Sequence, residues 1–222
     1  MLEPERQEVA AAARRLASER LVLGTAGNVS SRNGEHVAVT PTGAVLAELT
    51  AEQVSVVGVD GKLAWGELEP TSELDLHLDI YRQIDAGAVV HTHAPLATAL
   101  SCVIEELPCV HYSMLLFGGS VRVAPYATFG SPELARSVLS ALEGRTAALM
   151  ANHGAVTYAA DAAGAVDASL LLEWVCEVYW RAAQLGSPRT LDDGEQRAVV
   201  EAAVSRGYGR TKPAAKAQVE DA

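Results

Sequence analysis

His91 and His93 stand two residues apart at the end of the apolar run AVVHTH (88–93). An extended chain sends residues i and i+2 to the same face, about 6–7 Å apart, so the two imidazoles can converge on one ion. Nitrogen ligands suit zinc, and a catalytic zinc site usually has three protein ligands and one open position. His153 is the candidate for the third. It sits in Asn152-His153-Gly154, where the apolar run TAALMANHG (146–154) gives way to a turn, and strand ends opening into loops are where folds place chemistry. A single histidine at a strand end is more often a hydrogen-bonded core residue; the HTH pair and a third histidine at a second strand end favour a metal. His36, His77 and His111 carry less. His77 falls within a helical stretch with no partner spacing, and His111 precedes Tyr112 in VHYS.

Metal-assisted chemistry also needs a group that moves protons. Glu73 follows Pro70-Thr71-Ser72 at an expected helix start. A first-turn acid favoured by the helix dipole explains it adequately; the functional alternative is a metal-adjacent carboxylate acting as acid and base. Periodicity does not choose between them. Three short segments share another chemistry: Gly27-Asn28, Thr42-Gly43 and Thr71-Ser72 combine hydroxyl or amide side chains with backbone able to expose N–H groups, and none contains Lys or Arg. Thr71-Ser72 also opens a helix, a natural anion site. Each segment alone reads as an ordinary turn.

The elements that must position these residues can be read in outline. Residues 4–21 pattern as an amphipathic helix broken by GTAGNVS (24–30). EHVAVT (35–40) alternates as a strand, and 53–66 reads as a strand pair turned at Asp60-Gly61. A helix follows Glu73, a strand covers 88–93 and a helix covers 94–104. Ser131 as N-cap and Pro132 at the first helical position mark a helix over 131–142. A strand at 146–154 precedes helices at 161–185 and 192–206. The first of these carries Trp174, Tyr179 and Trp180, read as core or subunit interface. Strands and helices do not alternate as in a doubly wound fold. The expectation is one α/β domain over 1–211, with a largely antiparallel sheet flanked by helices and a flexible tail at 212–222.

Composition narrows the function class. The chain has 222 residues, 49% hydrophobic and 20% charged, with a formal net charge of −11. No basic stripe suggests nucleic acid. No run of about 18 apolar residues suggests a membrane span, and MLEPERQEVAAAARRL lacks the apolar core of a secretory signal. A cytoplasmic protein is expected, with Cys102, Cys109 and Cys176 reduced. The acidic field repels anionic substrates, so an anion site must be built locally from N–H groups and hydroxyls.

In order along the chain, GTAGNVS (24–30), TPTG (40–43), PTSE (70–73), AVVHTHA (88–94), HY (111–112), APYATFG (124–130) and NHG (152–154) resemble the class II aldolase/adducin family, nearest its L-fuculose-1-phosphate aldolases. The resemblance implies one zinc ion per subunit on His91, His93 and His153, with Glu73 as acid/base and able to approach the metal. It places phosphate binding on Thr25, Gly27, Asn28, Thr42, Gly43, Thr71 and Ser72. The family usually has two serines before the glutamate; Thr71 replaces the first and keeps the hydroxyl. Tyr112 of a neighbouring subunit and Tyr208 match the family's tyrosines that serve the leaving group. A homotetramer with active sites at subunit interfaces is implied.

The activity implied is reversible cleavage of a ketose 1-phosphate, of L-fuculose or 5-deoxyribulose type, to dihydroxyacetone phosphate and a short aldehyde. Epimerases, dehydratases and decarboxylases of the same fold are the alternatives within the family. The epimerases carry Asp where this chain has Glu73, which favours aldol cleavage. An adducin-like interaction module is the alternative outside enzymology, and the three histidines with Glu73 argue against it.

Overall fold

The computed structural model describes residues 1–208. The expected tail at 212–222 and the domain limit at 211 lie outside the described residues. Among those described, nine strands form one sheet in the order β4-β3-β2-β1-β5-β9-β8-β7-β6. The strands are β1 (Asn28–Asn33), β2 (His36–Val39), β3 (Ser55–Gly58), β4 (Leu63–Trp65), β5 (Ala88–Thr92), β6 (Glu106–Leu107), β7 (Val121–Ala124), β8 (Ala147–Met150) and β9 (Gly154–Ala159). Neighbours run antiparallel except β7 and β8. The single α/β domain with a mostly antiparallel sheet is as the sequence led us to expect.

Helices cover both faces. α1 (Glu3–Ser18), α3 (Pro95–Ser101) and α5 (Ala162–Leu185) pack on one side. There Val9, Ala13 and Leu16 of α1 meet Val29, Ala38 and Val90 of the sheet, and Leu172 and Val175 of α5 join them. α2 (Leu74–Gln83) and α4 (Pro132–Ala141) cover the other side, burying Leu76, Ile80, Leu134 and Val138 against Val37, Val89 and Met150. Strand periodicity sorts the residues: Ala88 and Val90 face α5, whereas Val89 and His91 turn toward α2. α6 (Asp193–Arg206) lies outside both layers and buries no residue.

Several local signals act as expected. Ser131 caps α4, its hydroxyl accepting from Leu134 N–H at 3.2 Å. Asp60-Gly61 turns the β3–β4 hairpin, with Lys62 N–H donating to the Asp60 carboxylate at 3.2 Å. Others differ. α1 stops at Ser18 rather than continuing to 21, because Arg20 takes a left-handed backbone (φ 62°) and faces solvent. Trp174 and Trp180 are 44% and 45% exposed, so they are not core of this chain. Strands β1, β6, β7 and β9 carried no sequence expectation. β1 reads NVSSRN, and its polar face is buried against α2, so it shows no apolar alternation.

Candidate functional site

The site lies where β5 ends beside the β8–β9 turn. His91 and His93 share a face of the chain as spacing required. Their Nε2 atoms lie 2.9 Å apart. The β8–β9 turn, with Asn152 in the left-handed region (φ 57°), brings His153 alongside. The three ring centroids are 4.8, 4.8 and 5.0 Å apart. Two glycines permit this approach. A Cβ on Gly154 would sit 2.2 Å from the Thr92 carbonyl, and one on Gly27 (φ +81°) would sit 2.8 Å from the His91 carbonyl.

This donor set fits a metal ion. One ligand atom from each of the three histidines lies within 4.8 Å of the others. Nitrogens each about 2.0–2.1 Å from a tetrahedral ion stand roughly 3.3 Å apart, close to the His91–His93 separation. Two imidazole lone pairs this near one another repel unless a proton or a cation lies between them. His91 is wholly buried, and its Nδ1–H donates to the Ala155 carbonyl at 3.0 Å, which leaves Nε2 facing the cluster. Such a bond fixes the tautomer a metal needs. Burial, then the neighbouring His91 and His153, lowers His93 to about 4. His153 is lowered by burial and by His91. Both rings are therefore neutral near pH 7, with lone pairs available.

Glu73 occupies the N-cap position of α2 but makes no capping hydrogen bond. Its carboxylate turns into the cluster. Oε2 lies 3.1 Å from His91 Nε2 and accepts from Asn28 Nδ2 at 3.0 Å; Oε1 lies 3.5 Å from His153 Nε2. Oε1 is buried without a hydrogen-bond partner among the described residues. Burial opposes the charge, but His91, Asn28 and His153 outweigh it and lower the Glu73 pKa, so the group is a carboxylate. The dipole explanation accounts for its place in sequence and not for its direction.

A pocket of about 290 Å³ opens above this floor. Glu73, His93 and His153 line it, as do Thr25, Gly27, Asn28, Thr42, Gly43, Thr71 and Ser72. The sequence thus named all three loops that meet there. Backbone hydrogen bonds tie the loops together: Thr42 N–H donates to the Glu69 carbonyl at 2.9 Å and Thr71 N–H to the Thr40 carbonyl at 3.0 Å. Thr40 N–H donates in turn to the Val29 carbonyl at 3.0 Å. The N–H groups of Gly27, Gly43 and Ser72, one per loop, have no acceptor among the described residues. Among the described residues no lysine or arginine lines the pocket. It offers an anion oriented dipoles rather than a counter-charge.

Tyr112 and Tyr208 do not line this pocket. Their hydroxyls lie 3.2 Å apart on the surface, with the residues 43% and 70% exposed. The hydrogen bond with Tyr208 raises the Tyr112 pKa, so Tyr112 keeps its proton at neutral pH. Sequence reading did not assign Asn152 or Tyr126 to the pocket, although Asn152 adjoins His153 in NHG. It also set His77 aside. His77 is wholly buried, bonds to both Ser30 and Asn28, and is lowered to about 3 chiefly by burial. No periodic pattern marks such a role.

Fold and site together define a histidine centre able to take a metal, with a buried carboxylate, beneath a neutral anion cradle. Residues 7–180 match the family described as Class II Aldolase and Adducin N-terminal domain. The chain is 39% identical over 193 residues to a 5-methylthioribulose-1-phosphate/5-deoxyribulose-1-phosphate aldolase from Rhodospirillum rubrum, covering 86% of each chain. It is 36% identical over 213 residues to a 5-deoxy-D-ribulose 1-phosphate aldolase from Bacillus thuringiensis, covering 95% of this chain and 99% of that one. A solved L-fuculose 1-phosphate aldolase superposes with a TM-score of 0.86 at 35% identity, covering 90% of this chain and 95% of that chain. The chain belongs to the class II aldolase and adducin family, and it is a lyase of the aldolase type.

Proposed function

We propose that this chain is a zinc-dependent aldolase that reversibly cleaves a ketose 1-phosphate to dihydroxyacetone phosphate and a short aldehyde. The observation that carries this reading is the Glu73 carboxylate, held among three histidines at the floor of a pocket whose rim offers unpaired N–H groups. Substrates of the 5-deoxyribulose 1-phosphate type are favoured over L-fuculose 1-phosphate. The Bacillus thuringiensis relative of that name matches nearly the full length of both chains.

His91, His93 and His153 would hold the ion, with Glu73 able to approach it. When bound, zinc supplies Lewis-acid stabilisation of the negative charge left by bond cleavage. The chain's own groups do the rest. The phosphate docks against Gly27, Gly43 and Ser72 N–H, with the Thr25, Thr42 and Thr71 hydroxyls and Asn28 around it. A base takes the proton from the C4 hydroxyl, the C3–C4 bond breaks, and its electron pair stays on the C3 side as an enediolate. C4 leaves as the aldehyde carbon. Glu73, ionised at rest, takes up a proton from water in the open pocket, delivers it to C3 and releases dihydroxyacetone phosphate.

In the cleavage direction the deprotonated form of Tyr112 of a neighbouring subunit takes the C4 hydroxyl proton, and in the reverse direction its hydroxyl returns it, with Tyr208 beside it. Both tyrosines lie on the surface and outside their own chain's pocket, which supports a site completed between copies. The exposed Leu116, Trp174, Trp180 and Val204 give such copies an apolar surface, and the assembly in this reading is a homotetramer. No described helix is long and apolar enough to cross a membrane; the reading includes a cytoplasmic location and no nucleic-acid partner.

The test is incubation of zinc-loaded protein with 5-deoxy-D-ribulose 1-phosphate and L-fuculose 1-phosphate, reading dihydroxyacetone phosphate. Release of that product, faster from the 5-deoxy substrate, is expected. Conversion with the carbon chain intact would replace cleavage by epimerisation or dehydration.

A further inference from the structure

A row of buried polar side chains lies beneath Glu73. α2 presents His77 and Tyr81, one turn apart, to β1, which presents Asn28 and Ser30 on one face. His77 and Ser30 are wholly buried, and Asn28 and Tyr81 nearly so. Each touches the next. Tyr81 OH lies 2.7 Å from Ser30 Oγ, and Ser30 Oγ lies 2.7 Å from His77 Nδ1. His77 Nε2 lies 2.5 Å from Asn28 Oδ1, and Asn28 Nδ2 lies 3.0 Å from Glu73 Oε2.

The chemistry of each group fixes the direction of every link. An ionised carboxylate only accepts, so Asn28 turns its NH2 toward Glu73 and its carbonyl oxygen toward His77. That oxygen also only accepts, so His77 carries its hydrogen on Nε2. Nδ1 is then an acceptor, and the Ser30 hydroxyl donates to it. The Ser30 oxygen in turn accepts from Tyr81. A neutral imidazole has the one donor and one acceptor this requires, and burial keeps His77 neutral. Apolar side chains at 30, 77 and 81 would fill the same core without the desolvation cost of a hydroxyl, an imidazole and a phenol. The polarity runs one way and ends on Glu73.

We propose that His77 is a positioning residue for Glu73: acting through Asn28, it anchors Oε2 and leaves Oε1 as the oxygen that exchanges the substrate proton. Without the Nε2–H of His77, nothing at that position prevents the Asn28 amide from turning over and presenting Oδ1 to the carboxylate. Two acceptors then face each other, and Glu73 must shift or take up a proton. Either outcome misplaces the acid/base while leaving the loops and the histidines in place. An amide nitrogen has two hydrogens, so Asn28 can hold Glu73 and still meet a ligand in the pocket it lines. The inference rests on the reading of Glu73 as the acid/base.

The experiment compares His77→Leu, His77→Gln, Glu73→Gln and the Glu73→Gln/His77→Leu pair in the zinc-loaded protein. It measures kcat and KM for 5-deoxy-D-ribulose 1-phosphate, bound zinc and melting temperature. Gln reaches as far as the imidazole Nε2 and restores a donor to Asn28. His77→Leu is expected to lower kcat at least tenfold, with KM within threefold and one zinc per chain retained. His77→Gln should recover at least a third of the parent kcat, whatever the melting temperature of His77→Leu. In the Glu73→Gln background, His77→Leu should change kcat by less than twofold, because the group it acts on is already gone. A fall of less than tenfold in His77→Leu overturns the proposal. So does His77→Gln being no better than His77→Leu, or an equal loss in both backgrounds. If Glu73→Gln itself turns over normally, the acid/base reading of Glu73 has failed. If Glu73→Gln is inactive while His77→Leu is not, only the role of His77 has failed.

Discussion

The histidine floor and the Tyr112–Tyr208 pair carry the candidate proton-handling groups in opposite physical settings. At the floor, His91 is wholly buried and anchored to the Ala155 carbonyl, and Glu73 is held by Asn28. The tyrosines lie on the surface, hydrogen-bonded to each other, with Tyr208 70% exposed. The floor is fixed by this chain alone through strand pairing, two close-approach glycines and a buried polar row. The tyrosines are presented outward. In the proposed reaction, the part common to every ketose 1-phosphate would fall to the interior. The part that meets the variable aldehyde would fall to the surface, where the proposal has a neighbouring copy complete the site.

The largest effect is expected at the floor. His93→Ala should remove bound metal and bring cleavage below detection; full activity without metal would dissolve the distinction between the two regions. Glu73→Gln should lower kcat by about 10²–10⁴-fold, with zinc and phosphate affinity kept. Unchanged turnover would return Glu73 to a helix-dipole role. Tyr112→Phe should lower kcat by about 10²-fold, the low end for a general acid or base, and leave metal content alone. Mixing that variant with Glu73→Gln should restore activity if the two groups come from different copies, and no recovery would place both in one chain.

A smaller effect concerns stability in acid. His77 and His93 have folded-state values of about 3 and about 4, against an ordinary 6.5. The unfolded chain therefore binds more protons between those values, so this contribution is complete above about pH 6.5 and fades as pH falls toward the folded values. Glu73, also lowered, adds to the loss below its ordinary 4.5. The melting temperature of metal-free protein should drop progressively below pH 6.5, and His77→Leu should flatten that drop. A melting temperature that stays level from pH 7 to 5 would contradict the buried, neutral histidine.

Much of the floor was legible in the sequence because its signals are local. HTH at the end of an apolar run, the Asn-His-Gly turn and the three hydroxyl-rich loops each carry their meaning within a few residues. What was not legible depends on pairing across the fold. β1 lacks an apolar alternation because Asn28 and Ser30 face a polar partner on α2, so NVSSRN reads as loop. His77 has no partner at helical spacing; its partners are 47 and 49 residues away on β1. The direction of Glu73 was equally hidden, since a helix-start acid looks the same in sequence whether it caps the helix or turns away from it. The tyrosines could be named from the resemblance, but no local pattern says which copy of the chain they serve.

The most direct test is release of dihydroxyacetone phosphate from 5-deoxy-D-ribulose 1-phosphate by metal-free protein, before and after one equivalent of Zn²⁺ per chain. The account expects no product before addition and full turnover after it, lost again in Glu73→Gln. Turnover by the metal-free protein, or a zinc-loaded protein that leaves the five-carbon chain intact, would contradict it.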